Sequence, residues 1–219
     1  ARPILQRWDR RAARRADLYL ANSTTVQRRI RRVYGVDAPV LHPPVLLAPD
    51  APAEPIDWIE PGYLLTVSRA RGYKNTRLVL DAVRESPSER LVVVGSLPDG
   101  SDHPRITVLS GISDAQLVWL YAHARALVAA SHEDFGLTPV EANTFGTPVV
   151  ALRAGGYLDS VNEGVNGVFF DVETPDAIRA AVADLDRNPL DRSAVAQEGA
   201  KYSLPAFTER LHDWVNSVQ

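Results

Sequence analysis

Ala129-Ala-Ser-His-Glu-Asp-Phe-Gly-Leu-Thr-Pro-Val-Glu-Ala-Asn-Thr-Phe-Gly-Thr-Pro-Val-Val150 is the stretch around which the rest of the chain can be arranged. The residues leading into it, 126–130, are apolar throughout, as a buried parallel strand should be. Ser131 to Gly136 is polar and closes on glycine, so a loop is expected at the strand's carboxyl end. Thr138, then Pro139, then Glu141 three positions after the threonine, reads as a capping box with proline at the first helical position. Gly146 and Pro148 end that helix, and Val149-Val-Ala-Leu152 starts another strand. Strand, loop, helix, strand is a βαβ unit. Its helix start turns the backbone N–H groups of Gly136 to Val140 outward, which makes a ready anion site. Two carboxylates, Glu133 and Glu141, bracket this start.

Outward from this unit the same alternation continues. Strands are expected at Tyr63–Val67, Leu91–Val94, Ile106–Leu109 and Gly167–Phe170. Helices are expected over Thr76–Glu85 behind Asn75 as cap, with Leu78, Leu80 and Val83 inward. Others are expected over Asp114–His123 behind Ser113, near 175–186, 191–200 and 205–216, with a helical turn near Asp159 to Val161. Strands alternating with helices predict an α/β fold: a Rossmann-like parallel sheet flanked by helices on both faces. Ligands bind such sheets beyond the carboxyl ends of the strands. Ahead of this domain, Ile4, Leu5, Trp8 and Ala12 fall at helical spacing among arginines. A short strand is expected at Asp17–Ala21, a helix capped by Asn22-Ser23 runs to about Val33 before Tyr34-Gly35, and Val40–His42 forms a third short element. Pro49, Pro52, Pro55 and Pro61 mark a linker. The expected division is 1–44, linker 45–61, domain 62–204 and a carboxyl-terminal helix at 205–219.

Composition narrows the function classes. The chain has no cysteine, which removes disulfides and Cys-ligated metals and is in keeping with a reducing, cytoplasmic setting. It has no methionine even at position 1, so a piece of a longer product is expected. No apolar run approaches the roughly 20 residues that span a bilayer. The net charge of −3 hides an asymmetry: residues 1–34 carry ten arginines against Asp9 and Asp17, hence +8, which leaves −11 for the remainder. The basic helix reads either as a peripheral contact with the anionic inner face of a membrane or an acidic acceptor, or as a solvated arginine face. Trp8 is the one aromatic interleaved among those first arginines, so nucleic acid is not expected as a partner.

Three further loops could carry chemistry. Ser68-Arg-Ala-Arg-Gly-Tyr-Lys-Asn75 follows the first strand of the domain and brings Arg69 and Lys74 to a helix start, a constellation suited to a diphosphate. Arg71 is a weaker third contact, and two cations facing water is the plain alternative. The strand-end loops at Gly95 and at Gly111-Ile112 either admit a flat base against the backbone or are ordinary turns. There is no G-x-G-x-x-G after any strand and no G-x4-G-K-[ST], so neither the dinucleotide fingerprint nor the P-loop is present. The five histidines show no metal spacing.

Glu133 and Glu141, with Phe135-Gly-Leu137 between them and Gly146-Thr-Pro148 beyond, resemble the donor-site signature of GT-B glycosyltransferases, in particular the large retaining family 4. The resemblance covers nearly the whole chain but only the carboxyl-terminal, donor-binding half of such an enzyme. It implies that residues 1–44 are a remnant of the amino-terminal acceptor domain, the rest of which is missing. It also implies transfer of a sugar from a nucleotide diphosphate to the hydroxyl of a saccharide or lipid-linked acceptor, with retention and without a metal or other cofactor. By the same resemblance Arg69 and Lys74 hold the pyrophosphate. Glu133 serves the transferred sugar, and Glu141 takes the ribose hydroxyls. Phe135, Gly136, Leu137, Thr138, Gly95, Gly111 and Ile112 line the donor pocket. Gly155-Gly-Tyr-Leu-Asp159 resembles the family's G-G-x-P-E turn, with Leu158 and Asp159 in place of Pro and Glu, which leaves its side-chain contacts open. The Tyr73-Lys-Asn75 variant and the run Trp8 to Asp17 look closest to mannosyltransferase-like members and lean towards a GDP-sugar over a UDP-sugar. The alternative is an isolated nucleotide-sugar-binding module without activity of its own.

Overall fold

The computed structural model describes residues 2–68, 74–97 and 103–218, with Arg2 described in its backbone only. Two helices come first. α1, Arg2–Ala13, leaves Ile4, Leu5 and Trp8 largely exposed. α2, Thr24–Tyr34, starts where Ser23 accepts a hydrogen bond from the Val26 N–H and stops at Gly35, whose φ of 69° is the left-handed conformation that glycine adopts without a Cβ penalty. The strand expected at 17–21 and the element at 40–42 reduce to one parallel bridge, Ala21 with Val40. Two short segments with no third strand beside them cannot extend a ladder.

The segment at 45–61 lies on the domain rather than swinging clear of it. Val45 donates to the Tyr202 carbonyl, and Ile56 and Ile59 are buried beside Tyr63 and Trp119.

The domain proper then alternates regularly. β1 (Leu64–Val67), α3 (Thr76–Arg84), β2 (Leu91–Val94), β3 (Ile106–Leu109) and α4 (Asp114–His123) form its first half. β4 (Ala126–Ala129), α5 (Leu137–Thr144), β5 (Val149–Leu152), α6 (Tyr157–Ser160), β6 (Gly167–Phe170) and α7 (Pro175–Arg187) form its second half, and α8 (Arg192–Ala200) and α9 (Leu204–Ser217) close the chain. α4 begins with the reciprocal box of Ser113 and Gln116, while Thr174 and Ser203 cap α7 and α9, each with proline in the first turn.

Among the described residues the strands form one sheet in the order β3-β2-β1-β4-β5-β6, and every pairing is parallel. That is the order of doubly wound dinucleotide-binding folds, in which the winding reverses between β1 and β4. Strand residues alternate between two cores. Leu65, Val92, Leu127, Ala129, Val149 and Ala151 face Leu120, Tyr121, Ala142 and Tyr157, from α4, α5 and α6. Leu64, Leu91, Val93, Ala126, Val128 and Val150 face Leu80 and Val83 of α3 and Ile178 and Val182 of α7. Because both faces are covered at the centre of the sheet, β2, β4 and β5 read as unbroken runs of valine, leucine and alanine. A sheet with helices on both faces is thus the observed architecture.

α8 packs chiefly on α5, and Gly199 is where the two backbones meet. A Cβ built there would lie 2.5 Å from the Thr144 nitrogen and 2.6 Å from the Asn143 carbonyl carbon. Ala would ordinarily gain about 1 kcal/mol over Gly inside a helix, but backbone atoms of a packed helix cannot yield as a side chain can. We therefore predict that Gly199→Ala destabilises the chain by about 1–3 kcal/mol, read as a fall in the thermal midpoint; a rise would mean that α8 is free to move off α5.

Candidate functional site

α3 leaves β1 towards one face of the sheet and α5 leaves β4 towards the other, so the loops that precede them diverge and open a crevice at the point of reversal. One ion pair spans this crevice. Lys74 Nζ, from the loop after β1, lies 2.6 Å from Glu133 Oε1, from the loop after β4, and both side chains are mostly withdrawn from solvent. The same carboxylate oxygen accepts from Ser131 Oγ at 3.1 Å, and Ser131 Oγ is 2.8 Å from the hydroxyl of buried Tyr157.

The floor of the crevice is stitched by small polar groups. Asn75 stands at the cap position of α3 with φ 49°, but its side chain makes no cap bond. Its Nδ2 donates instead to the Ala130 carbonyl at 3.0 Å, tying the β1 loop to the end of β4. Ser68 Oγ hydrogen-bonds with Thr76 Oγ1 and donates to the Ser96 carbonyl.

The start of α5 differs from the expected capping box. The helix begins at Leu137, two residues early, with Gly136 as cap at φ 85° and no side-chain cap bond, so Thr138 is the second helical residue and Glu141 the fifth. Glycine is required at 136: a Cβ there would lie 2.4 Å from the Tyr157 ring. The N–H groups of a first helical turn have no acceptor within their own helix, and those of Leu137 and Thr138 belong to this turn.

Released from capping, Glu141 takes another partner, its Oε2 accepting from the Tyr121 hydroxyl at 2.7 Å. Burial pushes the Glu141 carboxyl above the ordinary glutamate range, against the opposing pull of the Tyr121 hydrogen bond and the positive charge of Lys74. Burial and that neighbouring carboxylate together hold the Tyr121 phenol well above its ordinary value. Lys74 thus bonds Glu133 and acts on Glu141 from the same side of the sheet.

The other expected residues divide. Phe135 is buried and packs on Val45 and Val140, its ring stacked on His42 at 5.2 Å and tilted against Tyr202, so the ring serves packing. Leu137 is 41% exposed and Thr138 half-buried at the mouth of α5. Gly95 is a close approach within the protein, since a Cβ there would lie 2.0 Å from the Ser68 carbonyl oxygen. Gly111, at φ 67°, faces open space, and Ile112 packs in part on the core. Arg69 and Arg71 lie outside the described residues. His132 is exposed beside Glu173.

Gly155 and Gly156, which open the turn that resembles G-G-x-P-E, are approached by the chain's own 133–135 loop. A Cβ at 155 would lie 2.3 Å from the Glu133 carbonyl oxygen, and one at 156 would lie 2.2 Å from Phe135 Cα. Asp159, left open by the sequence, turns away to α2. Tyr121, Ser131 and Tyr157 were not singled out from the sequence. Buried tyrosines are ordinary core residues by pattern, and only the position of the hydroxyl gives them a task. No group of three or more His, Asp or Glu side chains among the described residues converges as metal ligands, and no described helix is long and apolar enough to cross a membrane.

Comparison with known proteins bears on this geometry. Residues 59–202 match the family model described as glycosyl transferases group 1. D-inositol 3-phosphate glycosyltransferase from Segniliparus rotundus is 32% identical over 66% of this chain and 37% of its own length. The enzyme of the same name from Acidothermus cellulolyticus is 30% identical over 93% of this chain and 52% of its own length. The human alpha-1,3/1,6-mannosyltransferase ALG2 is 30% identical over 52% of the chain and 28% of its own length. The chain therefore spans about half or less of the length of these curated relatives. Among solved structures, Anabaena Alr3699/HepE in complex with UDP and glucose superposes with a TM-score of 0.79 over 97% of this chain and 66% of its own, at 19% identity. Sucrose-phosphate synthase from Thermosynechococcus elongatus gives 0.76 over 93% and 58%, also at 19% identity.

The burial of Glu141 has a measurable sign. Its folded pKa is raised, so the fold tolerates the protonated form fully below the ordinary glutamate range and carries the cost of a buried charge as pH rises through the folded value. Gln keeps an acceptor for Tyr121 and never ionises. Glu141→Gln is expected to raise the thermal midpoint relative to the parent at pH 8 and to lose that advantage near pH 4. A difference independent of pH would mean that burial does not govern this carboxylate.

Proposed function

The chain belongs to the glycosyl transferases group 1 family, and from that premise we propose that it is the donor-binding part of a transferase that moves a sugar from a nucleotide diphosphate to an acceptor hydroxyl with retention. The observation that supports this most is the meeting of Lys74 and Glu133 across the β1–β4 crevice, beside the amide end of α5. A diphosphate seated there has one cation from the β1 loop and the N–H groups of Leu137 and Thr138. Arg69 supplies a second cation in this reading. Together they offset the charge that grows on the leaving diphosphate, the kind of preorganised stabilisation that dominates such chemistry. On this reading the reaction needs no metal or other cofactor.

Glu133 is then shared between Lys74 and the transferred sugar. When phosphate oxygens compete for the ammonium group, the carboxylate is freed to bind sugar hydroxyls or to steady positive charge at the anomeric carbon. Glu141 has one oxygen committed to Tyr121, which leaves Oε1 for the ribose hydroxyls. In this reading the base lies at the Gly111 loop, where a built Cβ would meet nothing within 4 Å. No nucleophilic side chain is assigned, and a same-face displacement through an oxocarbenium-like state accounts for retention. Mannose as the sugar draws support from the likeness to a relative named as a mannosyltransferase, while GDP as its carrier rests on the Tyr73-Lys-Asn75 variant and the run Trp8 to Asp17. A UDP-sugar draws support from the neighbour solved with UDP and glucose. The acceptor, a saccharide or lipid-linked molecule, is assigned to an amino-terminal domain joined to residues 1–44.

Titration calorimetry of this chain with UDP and GDP tests the proposal. One of the two is expected to bind, and Lys74→Ala to weaken that binding about tenfold to a hundredfold, the range for loss of a hydrogen bond to a charged group. Binding of neither, or binding untouched by Lys74→Ala, would sink it. Binding without donor hydrolysis or transfer would mark a binding module.

A further inference from the structure

Asp159 does none of the work assigned to the donor pocket, yet it is among the most thoroughly enclosed carboxylates described here, its side chain 4% exposed. Both of its oxygens are spoken for. Oδ2 accepts from the Thr24 N–H at 2.6 Å and hydrogen-bonds with His42 Nε2 at 3.1 Å, and Oδ1 accepts from the Thr24 hydroxyl at 2.5 Å. Thr24 is the first residue of α2, so a negative charge sits at the positive end of that helix, the orientation that its dipole favours. Two more bonds run the same way: Thr25 Oγ1 donates to the Gly155 carbonyl, and Arg29 pairs with Asp134 at 2.8 Å. One helix is thereby fastened to the loop after β4 and to the turn after β5 that packs on it.

From Asp159 the connection continues inward without a gap. Asp159 belongs to α6, whose leading Gly156 donates to the Glu133 carbonyl at 2.9 Å. Tyr157, its first residue, hydrogen-bonds with Ser131, which donates to the Glu133 carboxylate held by Lys74. At Gly155 and Gly156 the two loops touch backbone to backbone, so neither can shift alone. We infer that Asp159 is a positioning residue: by anchoring α6 to the start of α2 it sets where the Glu133 loop stands, and a displacement of α2 reaches the Lys74–Glu133 pair. In the family-based division α2 lies with the acceptor-side residues, so this is a route by which that side is felt in the donor pocket. That consequence for ligand binding rests on the proposed function, while the mechanical coupling does not.

Hydrogen–deuterium exchange and nucleotide titration on Asp159→Asn and Thr24→Val test it, with Gly199→Ala as a control of matched lower stability. Asp159→Asn is expected to speed exchange in 131–137 about tenfold and to weaken UDP or GDP binding about threefold to tenfold. Thr24→Val, which keeps the Thr24 N–H bond to Asp159 and loses the hydroxyl with its exposed bond from Arg28, should move both in the same direction by less, and it decides the matter alone if Asp159→Asn does not fold. The inference is overturned if exchange quickens only within 24–34 and 157–161, or if Gly199→Ala loosens 131–137 as much. If the parent chain binds neither nucleotide, the proposed function fails, and exchange in 131–137 still decides the coupling.

Discussion

Because all six strands run the same way, every loop that follows a strand emerges at one edge of the sheet, and chemistry can gather there and nowhere else on it. Reversal of the winding between β1 and β4 then forces two of those loops apart. Something must hold the edges of the resulting gap in register, and here a lysine from one side meets a carboxylate from the other. Their separation in sequence is large, but the topology makes them neighbours. An ion pair in a partly enclosed gap is weak as a source of stability, since desolvation offsets most of its Coulomb energy. What it supplies is placement, reinforced by Asn75 bonded to the Ala130 carbonyl and by Ser131 bonded to the carboxylate itself.

Much of the fold was legible because its signals are local. Runs such as Leu91–Val94 and Val149–Leu152 are short, apolar and bounded by turn residues, as buried strands are, and Ser23 and Ser113 cap helices where the sequence places them. The exceptions are informative. Thr138, Pro139 and Glu141 have the spacing of a capping box, but Gly136 takes the cap because the Tyr157 ring lies where a Cβ would be, and that ring comes from 21 residues further along. Asn75 has the right identity for a cap and spends its side chain elsewhere, because a carbonyl at the end of β4 is within reach. In both cases a tertiary neighbour outbid a local preference.

The site was legible as a set of loops and less so as a set of roles. Lys74, Glu133 and Glu141 were visible as charges near a helix start, and the fold brings them to the same side of the sheet. Phe135 was visible too, but its ring belongs to the packing between the motif loop, His42 and Tyr202. Tyr121, Ser131 and Tyr157 were invisible as functional groups, and Asp159 was visible only as a departure from a motif, with its contacts left open. Nothing in a one-dimensional pattern distinguishes a buried hydroxyl that braces a carboxylate from one that merely fills space.

The glycine pair at 155 and 156 changes how related sequences should be read. Each position has a backbone atom of residues 133–135 closer than any Cβ tolerates, so selection for a folded loop alone is enough to keep both columns of an alignment filled with glycine. Invariance there would carry no information about turnover or about what the crevice holds. Variation at 159 and at 24, read together as a covarying pair, is where evolutionary records would reveal whether lineages that rearranged the upstream helix also retuned the pocket.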